Sequence, residues 1–166
     1  MAFRRITHSQ YTQIRDLGYA GGMLRRLNLD DMDTVAVIHR TAFDDRLPWL
    51  TGLHTPEEDR DYFRGHVFET CTVWGAMRNG RLAGFIAFRE GWIDQLYILP
   101  DAQGFGLGRM LLDRAKGAWP ILKLWTFQAN GRARAFYEAA GFEAIDETGG
   151  DNEEQEPDVL YRWERS

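Results

Sequence analysis

Short stretches in which apolar and polar residues alternate recur along the chain and predict a β-sheet. Seven strands are predicted, at residues 23–27, 72–77, 82–89, 92–99, 121–127, 142–148 and 158–163. The Asn79-Gly80 pair between the second and third strands is typical of a tight hairpin. A second turn, at Glu90-Gly91, leads into the fourth strand. Strands two to four are therefore predicted to form an antiparallel meander.

Four further stretches place apolar residues at helical spacing. They predict helices at residues 30–43, 55–69, 107–116 and 130–140. Asp30 and Asp31 offer a cap for the first helix, and Thr55 with Glu58 forms a capping box for the second. The third helix joins the fourth and fifth strands by a crossover, so those strands are predicted to be parallel. The whole order predicts an α/β domain with a mixed, mostly antiparallel twisted sheet of about seven strands and helices on both faces.

The chain has 166 residues, which suits one domain, placed at residues 23–166. Residues 1–22 lack a clear period and end in Ala20-Gly21-Gly22, so we expect a flexible N-terminal extension there. No apolar run approaches the roughly 20 residues of a membrane span, and no secretory leader is evident. Cys71 is the only cysteine, which excludes an intramolecular disulfide. We expect a cytoplasmic protein that binds no membrane.

The charge balance is acidic, with 20 Lys and Arg against 25 Asp and Glu and a net charge of −5. A protein that binds nucleic acid usually carries a dominant basic field, so this class is disfavoured. The acidic excess is local, because residues 143–158 contain eight acids and no base. Two interpretations stay open: a solvated loop, or a surface that attracts a cationic substrate.

A glycine-rich loop, residues 103–109, lies between the fourth strand and the third helix. Alternate glycines let successive N–H groups point into one concavity at the helix N-terminus, which favours an anion such as phosphate. A turn that only connects two elements is the alternative. The Walker A motif is excluded because Gly108 is followed by Arg109 and Met110 rather than by Lys and Ser or Thr. The dinucleotide-binding motif is excluded because Arg109 stands three places after Gly106, where that motif needs a glycine.

Two motifs carry a more specific resemblance. Gln103-x-x-Gly106-x-Gly108 resembles the acetyl-CoA pyrophosphate loop of the GCN5-related N-acetyltransferase (GNAT) superfamily. The stretch from Asn130 to Phe142, with Phe136-Tyr137-Glu138 at its centre, resembles the second coenzyme segment of that family. The resemblance covers residues 23–166 and points to bacterial members that acetylate small molecules or peptides. It implies the GNAT fold, in which two central strands splay apart, with acetyl-CoA as co-substrate.

The resemblance also implies the coenzyme-binding residues. They are Tyr97, Ile98, Gln103, Gly104, Phe105, Gly106, Leu107, Gly108, Arg109, Asn130, Ala133 and Phe136. Backbone N–H groups of the loop bind the pyrophosphate, the strand edge at residues 97–98 pairs with the pantetheine amides, and Asn130 hydrogen-bonds the pantetheine arm. The place of Phe105 is often basic in relatives, and Arg109, Arg132 or Arg134 is expected to supply the missing charge.

Acetyl transfer to an amine needs a base for the amine and an acid for the departing thiolate. Tyr137 matches the tyrosine that the family keeps near the thioester sulfur, which implies a general acid; a core tyrosine is the alternative. Asp94 lies about where relatives place the acidic residue that acts as base, directly or through water. A hydrogen-bonded strand acid is the alternative there, and His54, Glu57 and Glu58 are further candidates for the base.

The predicted acceptor is a primary amine of a small molecule or peptide. Trp49, Glu153, Glu154 and Asp158 are its predicted contacts, with core packing as the alternative for Trp49. Direct attack in a ternary complex is favoured, because nothing near Cys71 in the sequence activates its thiol. No metal is implied, since the four histidines lack ligand spacing. A non-catalytic acyl-CoA-binding module is the alternative function, and a homodimer is left open.

Overall fold

The computed structural model describes residues 23–166, and the predicted N-terminal extension, residues 1–22, lies outside the described residues. Seven strands of the described part form one sheet: β1 Met23–Arg26, β2 Thr72–Arg78, β3 Arg81–Arg89, β4 Trp92–Ile98, β5 Ile121–Phe127, β6 Glu143–Glu147 and β7 Asp158–Glu164. Their order is β1-β2-β3-β4-β5-β7-β6. Only the β4–β5 pair is parallel. The predicted mixed, mostly antiparallel sheet is confirmed.

Four helical segments accompany the sheet in the described residues: α1 Met32–Arg46, α2 Pro56–Tyr62, α3 Leu107–Ala118 and α4 Gly131–Ala139. The predicted capping box of Thr55 and Glu58 is present at the start of α2. This helix continues through a π-helical turn, Phe63–Val67, to Thr70, close to the predicted end. None of the helices in residues 23–166 is long and apolar enough to cross a bilayer.

The predicted cap of α1 is wrong in detail. Asn28, not an aspartate, caps a 3-10 turn that precedes the helix, and its side chain accepts a hydrogen bond from the Asp30 N–H. The Asp31 side chain makes no cap bond to α1. Its carboxylate instead accepts two hydrogen bonds from the Arg25 guanidinium, at 3.0 and 2.7 Å, because a cation on β1 offers two charge-assisted bonds.

Two apolar clusters cover the two faces of the sheet. Along β3, Phe85 and Ala87 belong to a cluster with Phe63 and residues of α1. Ile86 and Phe88 alternate with them and belong to a second cluster with residues of α3 and Tyr137 of α4. Because successive side chains of a strand point to opposite faces, helices lie on both faces, as predicted.

The sheet opens between its two central strands. β4 and β5 pair at a single position, Trp92 with Lys123. On the far side of β4, the Leu99 N–H donates to the Ala83 carbonyl at 2.8 Å. Alternation in an antiparallel pair then directs the backbone groups of Leu96 and Ile98 towards β5, where no ladder continues. The splay expected from the family resemblance is therefore present, and it leaves a wedge with a polar edge.

Candidate active site

A cavity of about 420 Å³ occupies this wedge, between the end of β4, the glycine-rich loop and α4. All the predicted coenzyme-binding residues except Phe105 line it, and Tyr137 lines it too. The residues that the sequence resemblance singled out are thus gathered around one cleft. Leu96 also lines the cleft and was missed, although strand alternation from Ile98 is the pattern that indicates it.

The loop presents free backbone amides to the cleft. Gly104 and Gly106 have φ values of +84° and +82°, in the left-handed region where glycine is favoured. Gly106 is the N-cap of α3 and has no side chain that could accept a hydrogen bond from the first turn. The first hydrogen bond of the helix runs from the Met110 N–H to the Gly106 carbonyl. Helix geometry therefore leaves the amides of residues 107–109 without partners inside α3, where an anion is favoured.

Gly108 keeps this end of the wedge open. A Cβ atom added to it would lie 3.4 Å from Phe136 Cζ and 3.8 Å from Ile98 Cγ1. Its φ is not in the left-handed region, so what matters at this position is the absence of a side chain and not an unusual backbone conformation. A larger side chain here would fill the gap between β4 and α4.

The predicted sources of extra positive charge divide into two groups. Arg132 lines the cleft, and Arg109 lines it while forming an ion pair with Asp113 at 3.3 Å. Arg134 is engaged elsewhere, since its Nε donates to the Tyr161 hydroxyl at 3.3 Å. Arg134 is therefore a poor source of charge for the loop.

Phe105 lies outside the cleft lining. It is 51% exposed, and the guanidinium carbon of Arg78 lies 3.2 Å from the centre of its ring. This cation–π contact brings positive charge to the loop from β2. At the position where the family often has a basic residue, this chain has the aromatic ring of Phe105, and the basic side chain of Arg78 covers that ring.

Tyr137 is the buried polar group of the cleft. It is 8% exposed and packs edge-to-face against Phe136 and Phe142, with ring centres 5.2 and 5.6 Å away. Burial raises the pKa of its phenol well above the ordinary value. The phenol is therefore in its protonated form at physiological pH.

A second cavity, of about 290 Å³, adjoins the first, and Arg46, Tyr97 and Asn130 line both. Its wall comes from α1, the segment after α1, β4, β5 and the acidic loop before β7. Asp94, one of the predicted site residues, is part of this wall. An acceptor bound here would lie next to the first cavity.

The acids of the second cavity differ in their partners. Asp158 accepts hydrogen bonds from the Thr148 hydroxyl and, at 3.2 Å, from the Asn152 amide. Glu154 lines the cavity, is partly buried, and has no ion pair or hydrogen bond with another side chain of residues 23–166. The Glu154 carboxylate is therefore the acid of this wall that is left to receive a cation.

Two predicted acceptor contacts lie outside both linings. Trp49 is 58% exposed, so core packing is the wrong interpretation; its indole N–H donates to Glu156 Oε1 at 2.7 Å. This bond ties the segment after α1 to the acidic loop. Glu153 Oε1 lies 3.1 Å from Nε2 of His54, which does line the second cavity. Because neither Trp49 nor Glu153 lines either cavity, neither side chain would contact an acceptor bound there.

The candidates for the base are separated by their contacts. Glu58 is used by the capping box, and Glu57 pairs with Arg60 at 3.0 Å; neither lines a cavity. Asp94 lines the second cavity, and its Oδ2 accepts hydrogen bonds from Arg89 Nε at 2.9 Å and from the Cys71 thiol at 3.2 Å. Asp94 therefore combines cavity access with a fixed orientation.

The Cys71 thiol donates a hydrogen bond to Asp94 and is not expected to act as a nucleophile. Burial, assisted by the Asp94 carboxylate, raises the pKa of its thiol to about 11. We expect Cys71→Ser to keep kcat within about twofold of the wild type, and we expect alkylation by iodoacetamide to stay slow at pH 7 and accelerate only towards pH 11. Loss of transfer in this variant, or an acetylated Cys71 peptide after acid quenching, would contradict this assignment.

The chain is similar to a known protein family and to individual acetyltransferases. The acetyltransferase (GNAT) domain matches residues 69–144. The peptidyl-lysine N-acetyltransferase YiaC of Escherichia coli is 32% identical over 91 residues, which cover 54% of this chain and 62% of the relative. This alignment spans less than two thirds of that relative. The peptidyl-lysine N-acetyltransferase YjaB of the same species is 27% identical over 120 residues, covering 72% of this chain and 80% of the relative.

Two solved structures have a fold similar to that of this chain. The apo form of Escherichia coli YjaB superposes with a TM-score of 0.72 at 23% identity, over 87% of this chain and 99% of the other. The PaiA N-acetyltransferase of Thermoplasma acidophilum, in complex with coenzyme A, superposes with a TM-score of 0.67 at 19% identity, over 86% and 98% of the two chains. Both share the architecture described above.

Proposed function

Because residues 69–144 match the acetyltransferase (GNAT) domain, we propose that this chain is a GNAT acetyltransferase that transfers the acetyl group of acetyl-CoA to a primary amine of a small molecule or peptide. One observation carries the proposal: a wedge bordered by the open edge of β4 and the N-terminus of α3 adjoins a second cavity with acidic side chains. The relatives named peptidyl-lysine N-acetyltransferases make a lysine side chain in a peptide the first acceptor to test. A cytoplasmic location belongs to the same proposal.

The wedge fits the chemistry of acetyl-CoA. The amides of residues 107–109 and the positive end of α3 match a diphosphate, since both favour negative charge. The backbone groups of Leu96 and the N–H of Ile98 match the amides of a pantetheine arm, which can pair with a strand edge, whereas the Ile98 carbonyl accepts a hydrogen bond from Gln103 Nε2 at 3.1 Å. Asn130 lines both cavities; its Oδ1 caps α4 by accepting a hydrogen bond from the Ala133 N–H at 3.1 Å, so its side-chain NH₂ group is what it can offer to the arm. This arrangement would place the thioester beside Tyr137.

The proposed mechanism is direct transfer. The neutral amine attacks the thioester carbonyl carbon, the carbon–sulfur bond breaks, and the departing sulfur takes the phenolic proton of Tyr137. The proton lost by the amine passes to Asp94, directly or through water, and Tyr137 regains a proton from solvent. A backbone N–H of β4 that faces the wedge stabilises the oxyanion of the tetrahedral intermediate.

The Glu154 carboxylate, which pairs with no side chain of residues 23–166, supplies a prediction about the acceptor. We expect Glu154→Gln to raise KM for a lysine peptide about tenfold while kcat changes less than about twofold, because a charge-assisted bond is lost to the ammonium form in which the acceptor binds before it is deprotonated. Asp151→Asn is the matched control: it removes one negative charge from an exposed residue of the same loop. Equal KM values for the two variants would exclude Glu154 as an acceptor contact.

A screen of amines tests the function itself. Full-length protein is incubated with acetyl-CoA and with polyamines, amino acids or lysine peptides, and release of the free CoA thiol is recorded. The proposal expects acceptor-dependent release above the rate of hydrolysis. Tight CoA binding without such release would favour the non-catalytic acyl-CoA-binding module instead.

A further inference from the structure

Arg46 joins the two cavities from outside the glycine-rich loop. It is the last residue of α1, is partly buried, and lines both the wedge and the second cavity. Its Nη2 donates to Gln103 Oε1 at 3.2 Å, and Gln103 Nε2 donates in turn to the Ile98 carbonyl at 3.1 Å. The guanidinium is thus held against the first residue of the loop.

No carboxylate of residues 23–166 forms an ion pair with Arg46. Arg40, on the same helix, shows the contrast: it pairs with Asp59 at 2.7 Å and with Asp44 at 3.5 Å. A neutral amide oxygen satisfies only part of a guanidinium, which has five donors and a strong preference for oxyanions. Arg46 is therefore a cation available for an anionic ligand at the cleft.

The glycine-rich loop has no basic side chain at position 105, where relatives often have one. Phe105 is aromatic, and Arg109 is paired with Asp113. Arg132 also lines the wedge, but Arg46 is distinguished by its hydrogen bond to the loop residue Gln103. A planar guanidinium next to exposed amides suits a diphosphate, because it binds two phosphate oxygens at once.

Resting on the proposed function, we propose that Arg46 is a ligand of the coenzyme diphosphate, supplied by α1 to a loop that lacks a basic residue at position 105. The guanidinium keeps or exchanges its bond to Gln103 as it contacts the phosphate oxygens. The competing role is a contact with a carboxylate of the acceptor, because Arg46 also lines the second cavity. Only the first role makes the effect of an Arg46 substitution depend on the phosphates of the acetyl donor.

The test compares wild type with Arg46→Met, Arg46→Lys and the control Arg26→Met, which removes one charge from an exposed residue of β1. Calorimetry with CoA is expected to show a Kd about tenfold to a hundredfold higher in Arg46→Met, a smaller rise in Arg46→Lys, and no change in Arg26→Met. Melting curves identify any variant that fails to fold.

A second readout uses S-acetyl-pantetheine, a donor without phosphates. If Arg46 binds the diphosphate, Arg46→Met loses about tenfold or more in kcat/KM with acetyl-CoA and less than about twofold with S-acetyl-pantetheine. Equal losses with both donors, or CoA affinity equal to that of Arg26→Met, would overturn the inference while leaving the proposed function in place. Failure of wild type to bind CoA would instead refute the proposed function.

Discussion

Replacing Tyr137 with phenylalanine is expected to lower kcat about a hundredfold and to leave CoA affinity within about twofold of the wild type. The variant keeps the ring that packs between Phe136 and Phe142 and loses only the hydroxyl. Without it, the thiolate leaves without an acid, and general acid catalysis commonly contributes about 10²-fold or more. Steady-state kinetics with a lysine peptide and calorimetry with CoA measure the two effects.

Tyr161→Phe is the matched control for this prediction. Tyr161 is fully buried 6.2 Å from the ring of Tyr137, and its hydroxyl donates to Glu138 Oε1 at 2.6 Å, outside the cleft lining. We expect a lower melting temperature and a kcat within about twofold of the wild type, because a structural hydrogen bond is lost. Unchanged turnover in Tyr137→Phe would return Tyr137 to the alternative role of a core tyrosine.

Replacing Gly108 with valine is expected to raise the Kd for CoA at least about a hundredfold. The Cβ atom alone reaches contact distance to Phe136 and Ile98, so the two methyl groups beyond it occupy the wedge or push α4 from β4. The coenzyme arm then has no space beside β4. Calorimetry with CoA measures the loss.

Gly117→Val controls for the cost of valine in the same helix. Gly117 also lies on α3, and a Cβ atom added to it meets no atom within 4 Å. CoA affinity is expected to stay within about twofold of the wild type in this variant, while circular dichroism reports the folding of both. Retained affinity in Gly108→Val would show that the wedge is not where the coenzyme binds.

The fold and the wedge could be predicted to a large extent because local chemistry determines them. Thr55 and Glu58 form their capping box within four residues, and Gly104 and Gly106 are needed where φ is positive. These preferences act over short distances and are therefore visible in the sequence. The arrangement of β4 and β5 followed from the crossover helix and the family resemblance.

The missed features depend on contacts between distant residues. Arg46 reaches Gln103 across 57 positions of the chain, and Trp49 bonds to Glu156 across 107. Asp31 bonds to Arg25 of β1 as well as to the backbone N–H of Asn28. No local pattern encodes such pairings, because each is decided by how separate elements pack. Acceptor contacts are the part of the site most affected, since they come from segments far apart in sequence.

The most direct test is a crystal structure of the full chain with CoA. The account predicts the diphosphate against the amides of residues 107–109, the pantetheine arm along Leu96 and Ile98 between β4 and β5, and the sulfur next to Tyr137. A coenzyme bound elsewhere, with the wedge left unfilled, would contradict it.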